Sequence, residues 1–440
     1  MNELYFLLGA YALAGTGISV AVMRRAHTGR EFFLGGGISW VMLAMTYAAT
    51  TFSAFMMVGL VGLSYVGGIG ALFFELVYVA STVILLLVYG RRIWEKAQRE
   101  QLVSPMELFK ENYGPTTVRA ASIISLFALV PYTAVQVIGL AVILESYGIT
   151  YGAGVIFAVA IIGIWALLGG LRGVALTDAV QGVFMLGMAI AAMFWTFNSF
   201  QGFEVSTFPN QLWTPRFFLN LTLPWAFFAL TNPQVLQRVF LLKHPGELKK
   251  MVILFATFGV LYTLLTTGIG FAARFGTEAG QFADPGSRDG VIVALMGQMA
   301  RVLALPLALS IVFASVSTAN SILLTLASMF TPADKRPTQG RILILVLTVV
   351  VGFFALLRPN ELVELSVASS RVLMVYLPLL FGVFHLKKTG PRGGLLTLVG
   401  GTILALVIGR VFPQDSSIIT FVTVGVLFAL GTLWDRKASS

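Results

Sequence analysis

Apolar runs of about 20 residues recur along the whole chain, each long enough to cross a ~30 Å hydrocarbon layer as an α-helix. Of the 440 residues, 57% are hydrophobic and only 11% are charged. Soluble domains carry about 25% charged residues, and they cannot hide this much apolar surface from water. The sequence therefore predicts an all-α integral membrane protein.

We predict thirteen membrane-spanning helices from these runs. No soluble domain, low-complexity tract or cofactor motif interrupts them in the sequence. The chain contains no cysteine, so a disulfide framework and a thiolate metal site are excluded. The predicted spans lie at roughly 3–23, 38–63, 69–90, 117–145, 151–170, 176–198, 216–235, 250–273, 304–328, 340–357, 362–386, 394–412 and 416–434.

The distribution of basic residues predicts the orientation of the chain. Arg24, Arg25 and Arg30 follow the first span without a small-residue cleavage site, which favours a retained helix over a signal peptide. When the loops alternate between sides, most of the 29 Lys and Arg residues share the side of Arg24. By the positive-inside rule, this predicts a multi-pass plasma-membrane protein with its amino terminus outside and its carboxyl terminus in the cytoplasm.

The net charge of +10 is then explained by topology and by contact with anionic membrane lipid. A nucleic-acid partner is not expected, and no sequence feature indicates an obligate protein partner.

The predicted spans divide into two blocks of five helices. Because each block has an odd number of helices, the second block is inverted relative to the first. We predict an accessory amino-terminal helix (1–30), a first repeat (38–198), a second, inverted repeat (216–386) and a carboxyl-terminal segment of two accessory helices and a tail (394–440).

Each repeat opens with a helix that carries break signals. These are Gly59 and Gly62 in the first repeat and Pro224 and Pro233 in the second. Paired interrupted helices are typical of transporters, in which unwound backbone supplies carbonyl oxygens to a cation near the bilayer midplane. The alternative is that Gly and Pro are simply frequent in membrane helices.

The segment "IVFASVSTANSILLT", residues 311–325, carries an unusual number of hydroxyls for so apolar a helix. Ala314, Ser317 and Thr318 share one helical face, which Ser321 and Thr325 continue. Neutral hydroxyl and carbonyl oxygens suit Na⁺, which needs about five of them around a small cavity. The alternative is a packing stripe in which the hydroxyls bond back to the preceding turn.

Four segments resemble signature stretches of the sodium:solute symporter family, and they occur in the order found in that family. The resemblance implies a LeuT-type fold, in which a 5+5 inverted-repeat core has one helix before it and two after it. The segments are "EFFLGGG" (31–37), "GGLRGVALTDAVQGVFMLG" (169–187), "NPQVLQRVFLLK" (232–243) and "FASVSTANSILL" (313–324).

The resemblance also implies a sodium site, with Na⁺ as the coupling ion. The family's ligands are carbonyls on the first broken helix, and a carbonyl and two hydroxyls on the eighth core helix. Carried over residue by residue, they fall on the carbonyls of Ala49, Phe52 and Ala314 and on the hydroxyls of Ser317 and Thr318.

The substrate pocket should lie beside this ion. Phe55 and Met56 stand where the galactose-transporting member has an acid and an amide, so a sugar is not expected. The segment "SAFMMVGLVG" is more similar to the proline-transporting member, in which an aromatic lines the pocket, but Thr51 replaces an aspartate there. The candidate pocket residues are Thr51, Ser53, Phe55, Met56, Tyr132, Gln136, Trp225 and Arg371.

Three ionisable residues within spans require partners, because a charge in the bilayer is costly. Asp178 is expected to cap the amino end of a helix, in preference to forming a second ion site. Glu75 is a candidate proton carrier or the partner of a cation. Arg371 needs an anion, either Glu75 or the carboxylate of a substrate.

These observations predict a sodium-coupled symporter that moves a small organic solute, a carboxylate or an amino acid, into the cell by alternating access. Two alternatives remain open: a proton-coupled symporter that uses Glu75, and a non-transporting sensor or scaffold on the same fold. An enzyme is not expected, since the sequence has three histidines, no cysteine and no nucleophile and base in a shared motif.

Overall fold

The computed structural model describes residues 2–23, 27–358, 362–386 and 390–438. Two of the basic residues used for the topology prediction, Arg24 and Arg25, lie outside this part. The described residues are overwhelmingly helical, and their only β-type pairing is an isolated bridge between Ile38 and Leu242. The predicted all-α fold class is confirmed.

In the first half of the chain, the described residues form seven α-helices. A π-helical segment, Phe55–Leu60, leads directly into the fourth helix. The helices are α1 (Asn2–Met23), α2 (Gly29–Leu34), α3 (Trp40–Thr51), α4 (Val61–Gly67), α5 (Ile69–Arg99), α6 (Lys110–Glu145) and α7 (Tyr151–Phe200).

The described part of the second half forms twelve α-helices. Several are short because breaks divide them. They are α8 (Pro215–Ala226), α9 (Phe228–Thr231), α10 (Pro233–Val239), α11 (Leu248–Glu278), α12 (Val291–Gln298), α13 (Arg301–Ser328), α14 (Thr338–Leu356), α15 (Leu362–Leu373), α16 (Tyr376–His385), α17 (Pro391–Leu395), α18 (Gly401–Val411) and α19 (Ser416–Ala438).

Ten helical stretches of the described chain are long and apolar enough to cross a membrane, or eleven if one bent pair counts as a span. One of them, α7, has 50 residues and is ~75 Å long, which exceeds a single crossing. Its backbone breaks at Gly170, where φ is 55° and ψ is −167°. This break separates two of the predicted spans, and the count of thirteen stays a prediction.

The two predicted broken helices are interrupted, although not at every predicted position. The first breaks between α3 and Phe55–Gly67 with a bend of 54°, so Gly59 and Gly62 lie beyond the break. Gly62 instead permits close packing, because a Cβ there would lie 2.0 Å from the Arg288 carbonyl oxygen. The second breaks at Phe227 and at Asn232, and Asn232 leaves the α-region because Pro233 follows it.

Helix α13 lies at the centre of the molecule and packs against α3, α6 and α7. Its hydroxyl-bearing residues 315, 317, 318, 321 and 325 are all buried. The broken segments at α3 and α10 pack against this same helix. The fold thereby brings both interrupted helices onto the polar face of α13.

Candidate functional site

The first break releases backbone carbonyl groups. The N–H of Ser53 donates to the Thr51 carbonyl at 3.1 Å, rather than to Ala49, its partner in a continuous α-helix. Phe52 has a φ of −86° and a ψ of 76°, which is outside the helical region. The carbonyl of Ala49 is therefore left without its helical donor.

Hydroxyls of α13 meet these carbonyls. The Thr318 hydroxyl donates to the Thr50 carbonyl at 3.1 Å and lies 3.5 Å from that of Ala49. The Ser317 hydroxyl is buried and interacts with the carboxyl group of Asp178. Ala314 stands one turn earlier on the same buried face. The structure thus brings predicted sodium ligands from two distant segments into contact.

The chemistry of this donor set fits a sodium ion. Its oxygens are uncharged hydroxyls and carbonyls, which suit a hard monovalent cation. Phe52 stands at the break, and its ring stacks on Phe255 at a centroid distance of 5.6 Å.

A buried ion-pair cluster, formed by Thr46, Thr50, Asp178, Arg238 and Ser321, lies next to these residues. Asp178 Oδ2 accepts a hydrogen bond from Thr46 at 2.6 Å and lies 3.7 Å from Arg238 Nη2. The same Nη2 donates to Thr50 Oγ1 at 3.2 Å and to Ser321 Oγ. Both charged side chains are 0% exposed, so the cluster ties α3, α7, α10 and α13 together.

This cluster corrects two sequence-based expectations. The predicted capping role of Asp178 is wrong, because the residue lies about two turns past Gly170 in the interior of α7. Arg238 was missed, since the predicted span ended at 235 and left it in a basic loop. The signal that could have found it is its position on α10, whose other residues are all buried.

A second group of residues surrounds the break in α8–α9. The ring centroid of Trp225 lies 5.6 Å from that of Phe55 and 5.7 Å from that of Tyr78. The indole N–H of Trp225 is buried, with no hydrogen-bond partner in the described chain, and the buried hydroxyl of Tyr78 interacts with Thr51. An aromatic group of side chains with an unpaired donor is typical of a site for a small organic molecule.

Other predicted pocket residues adjoin this enclosure. Both ends of the fully buried Gln136 amide lack a partner within the described ranges. Tyr132 interacts with Ser53 across the break and with the buried carboxyl of Glu75. The pocket candidate Met56 is buried as well. The unpaired buried amide of Gln136 and indole of Trp225 are consistent with a bound solute in this region.

The side chain of Arg371 contacts the accessory helices α18 and α19. Its Nη1 donates to Ser416 Oγ at 2.6 Å, at the start of α19. Its Nη2 would lie 2.2 Å from a Cβ added at Gly409 on α18, so the guanidinium packs on the accessory helices. The described ion pairs do not join Arg371 to Glu75, and the structure does not bring Arg371 together with the other pocket candidates.

Solved structures share this architecture. A Na⁺-coupled sialic acid symporter in a substrate-bound outward-open state superposes with a TM-score of 0.79 at 17% identity, covering 98% of this chain and 97% of that one. Mhp1, a nucleobase-cation-symport-1 family transporter, gives a TM-score of 0.59 at 13% identity, covering 93% and 96% of the two chains. At these identities the likeness establishes the fold alone.

Curated relatives add sequence similarity. The sodium/pantothenate symporter of Escherichia coli is 31% identical over 225 residues, which are 49% of this chain and 47% of that protein; the match thus spans about half of each. The osmoregulated proline transporter OpuE of Bacillus subtilis is 22% identical, covering 92% and 88%. The model of the sodium:solute symporter family matches residues 32–401. The chain therefore belongs to the sodium:solute symporter family.

Proposed function

We propose that this protein couples the movement of Na⁺ to the import of a small organic solute by alternating access. Family membership makes Na⁺ the coupling ion and places the chain among transporters. The observation that carries the proposal is the meeting of the Thr318 hydroxyl with the Ala49 and Thr50 carbonyls at the break after α3.

The proposed sodium ligands are the carbonyls of Ala49, Phe52 and Ala314 and the hydroxyls of Ser317 and Thr318. Na⁺ held there would neutralise the carbonyl dipoles that the break exposes. It would also join the broken α3 segment to α13, so ion binding would stabilise the arrangement in which the solute pocket is complete. The burial of the Ser317 and Thr318 hydroxyls on the part of α13 that contacts the break supports this assignment.

Substitution of the hydroxyls tests the sodium site. Ser317→Ala and Thr318→Ala should each raise the Na⁺ concentration for half-maximal uptake about tenfold, the equivalent of ~1.4 kcal/mol. Ser310→Ala is the matched control, because this buried hydroxyl on the same helix donates only to the Leu307 carbonyl. Unchanged Na⁺ dependence in both single variants and in the double variant would refute the assignment.

For the solute we propose a small molecule with a carboxylate or amino-acid character and a modest apolar body. Phe55 and Trp225 would pack on the apolar part, and Gln136 and Thr51 would bind its polar atoms. The buried carboxyl of Glu75, which interacts electrostatically with Tyr132, favours a solute that presents a hydrogen-bond donor, which an amino group supplies. An amino acid therefore fits this region better than a simple monocarboxylate.

The named relatives transport pantothenate and proline, and both solutes enter the test. Purified protein should bind carboxylates or amino acids in calorimetry only when Na⁺ is present, and the amino acids should bind more tightly. Na⁺-independent binding, or accumulation in proteoliposomes driven by a pH gradient without Na⁺, would contradict the proposal.

A further inference from the structure

A cavity of about 370 Å³ opens on the side of the helical bundle, and its lining includes none of the residues proposed for the sodium and solute sites. Its walls come from α5, from the α8–α9 break, from the α15–α16 region and from α19. We call it the lateral groove. Its lining is almost wholly apolar and includes Leu85, Leu230, Leu377, Phe381, Phe421 and Gly425.

The lateral groove opens toward the surroundings of the bundle. Phe381 is 48% exposed and Val422 is 57% exposed. A Cβ added at Gly425 would meet no atom within 4 Å, so the groove is open at this position. Because its walls belong to membrane-spanning helices, the molecules that surround it are lipid acyl chains.

One end of the groove is polar. The Tyr89 hydroxyl lies 3.1 Å from His385 Nε2, and the ring of His385 stacks on Phe381 at 4.8 Å. Arg92 follows Tyr89 on the same face of α5 and is exposed. The basic side chain of Arg92 thus lies one helical turn from Tyr89, at one end of an apolar groove, and suits an anionic lipid headgroup.

We propose that the lateral groove binds one acyl chain of an anionic phospholipid, with its headgroup at the Tyr89–His385 end. The bound chain contacts two places where core helices bend. Phe227, at the α8–α9 break, stacks on Phe421 with centroids 5.6 Å apart, and Met374 lies in the turn between α15 and α16. The lipid therefore stabilises one arrangement of these bends, whichever solute is carried.

Native mass spectrometry of the purified full-length chain, after delipidation, tests the proposal. Phosphatidylglycerol should bind saturably and about tenfold more tightly than phosphatidylcholine with the same acyl chains. Gly425→Phe fills the groove and should weaken phosphatidylglycerol binding about tenfold. Gly187→Phe is the matched control, since Gly187 is exposed on α7 and also has no atom within 4 Å of its Cβ position.

A second variant distinguishes a specific loss of lipid binding from misfolding of Gly425→Phe. Val422→Trp places a large side chain in the same groove from an exposed position, and it should weaken binding as Gly425→Phe does. The proposal would be overturned if both variants bound phosphatidylglycerol as tightly as the wild type does. It would also be overturned if the wild type bound phosphatidylcholine as tightly as phosphatidylglycerol. A dimer in the mass spectra that Gly425→Phe dissociates would assign the groove to a second copy of the chain and also overturn it.

Discussion

Breaking the buried ion-pair cluster should destabilise the protein strongly. Asp178 and Arg238 lie 3.7 Å apart and neither is exposed. At that separation and an effective dielectric constant of about 20, Coulomb's law gives an attraction of ~4.5 kcal/mol. Removal of one partner leaves the other charge buried with hydroxyl partners alone, so Arg238→Gln or Asp178→Asn should each cost about 3–5 kcal/mol.

The double variant separates a charge pair from general packing damage. In Arg238→Gln/Asp178→Asn no unpaired charge remains, so about 2–3 kcal/mol of the summed loss should be recovered. The control is the pair Arg358–Glu145, in which the side chains are 52% and 38% exposed. Arg358→Gln should cost less than about 1 kcal/mol, since exposed pairs contribute little.

The assay is chemical unfolding in detergent micelles, followed by circular dichroism, at fixed saturating Na⁺. Strictly additive losses in the double variant would refute the reasoning, because they would mean that the two side chains stabilise the fold independently. Single-variant losses no larger than that of Arg358→Gln would refute it as well.

Three further predictions concern individual side chains. Glu75→Gln should leave the Na⁺ concentration for half-maximal uptake unchanged and raise the solute KM, because the Glu75 carboxyl interacts with Tyr132 in the solute region. Loss of uptake driven by a pH gradient would instead favour proton coupling. Arg371→Gln should lower the free energy of unfolding by about 1.5–3 kcal/mol, because the hydrogen bond to Ser416 is lost, and it should leave the solute affinity unchanged. A large loss of solute affinity at normal stability would instead show that Arg371 binds the carboxylate of the substrate. The hydrogen bonds from Arg216 lower the pKa of the Asp415 carboxyl, so its stabilising effect is complete above the unfolded pKa of ~3.9 and is lost as the pH falls through the lowered folded value. Asp415→Asn should therefore lower the melting temperature at pH 7, and a difference from wild type that persists in acid below the folded pKa would contradict this.

The sequence by itself determined the membrane class, and it predicted the positions of the spans and, through the family resemblance, the residues of the proposed sodium site. Apolar run length is a local property of the chain, so it can be read without knowledge of neighbouring helices. The polar face of α13 follows from helical periodicity in the same way. Pro233 marked one break correctly, because proline restricts the residue before it.

Only the tertiary structure decided which buried charges are partners. Arg238 and Asp178 meet although α10 and α7 are far apart in the sequence, and Arg371 turns to Ser416 instead of to Glu75. Helical periodicity tells which face a side chain occupies, but not which helix lies against that face. The energy of a buried charge depends on that neighbour, since the low-polarity interior strengthens a contact with a partner and penalises its absence.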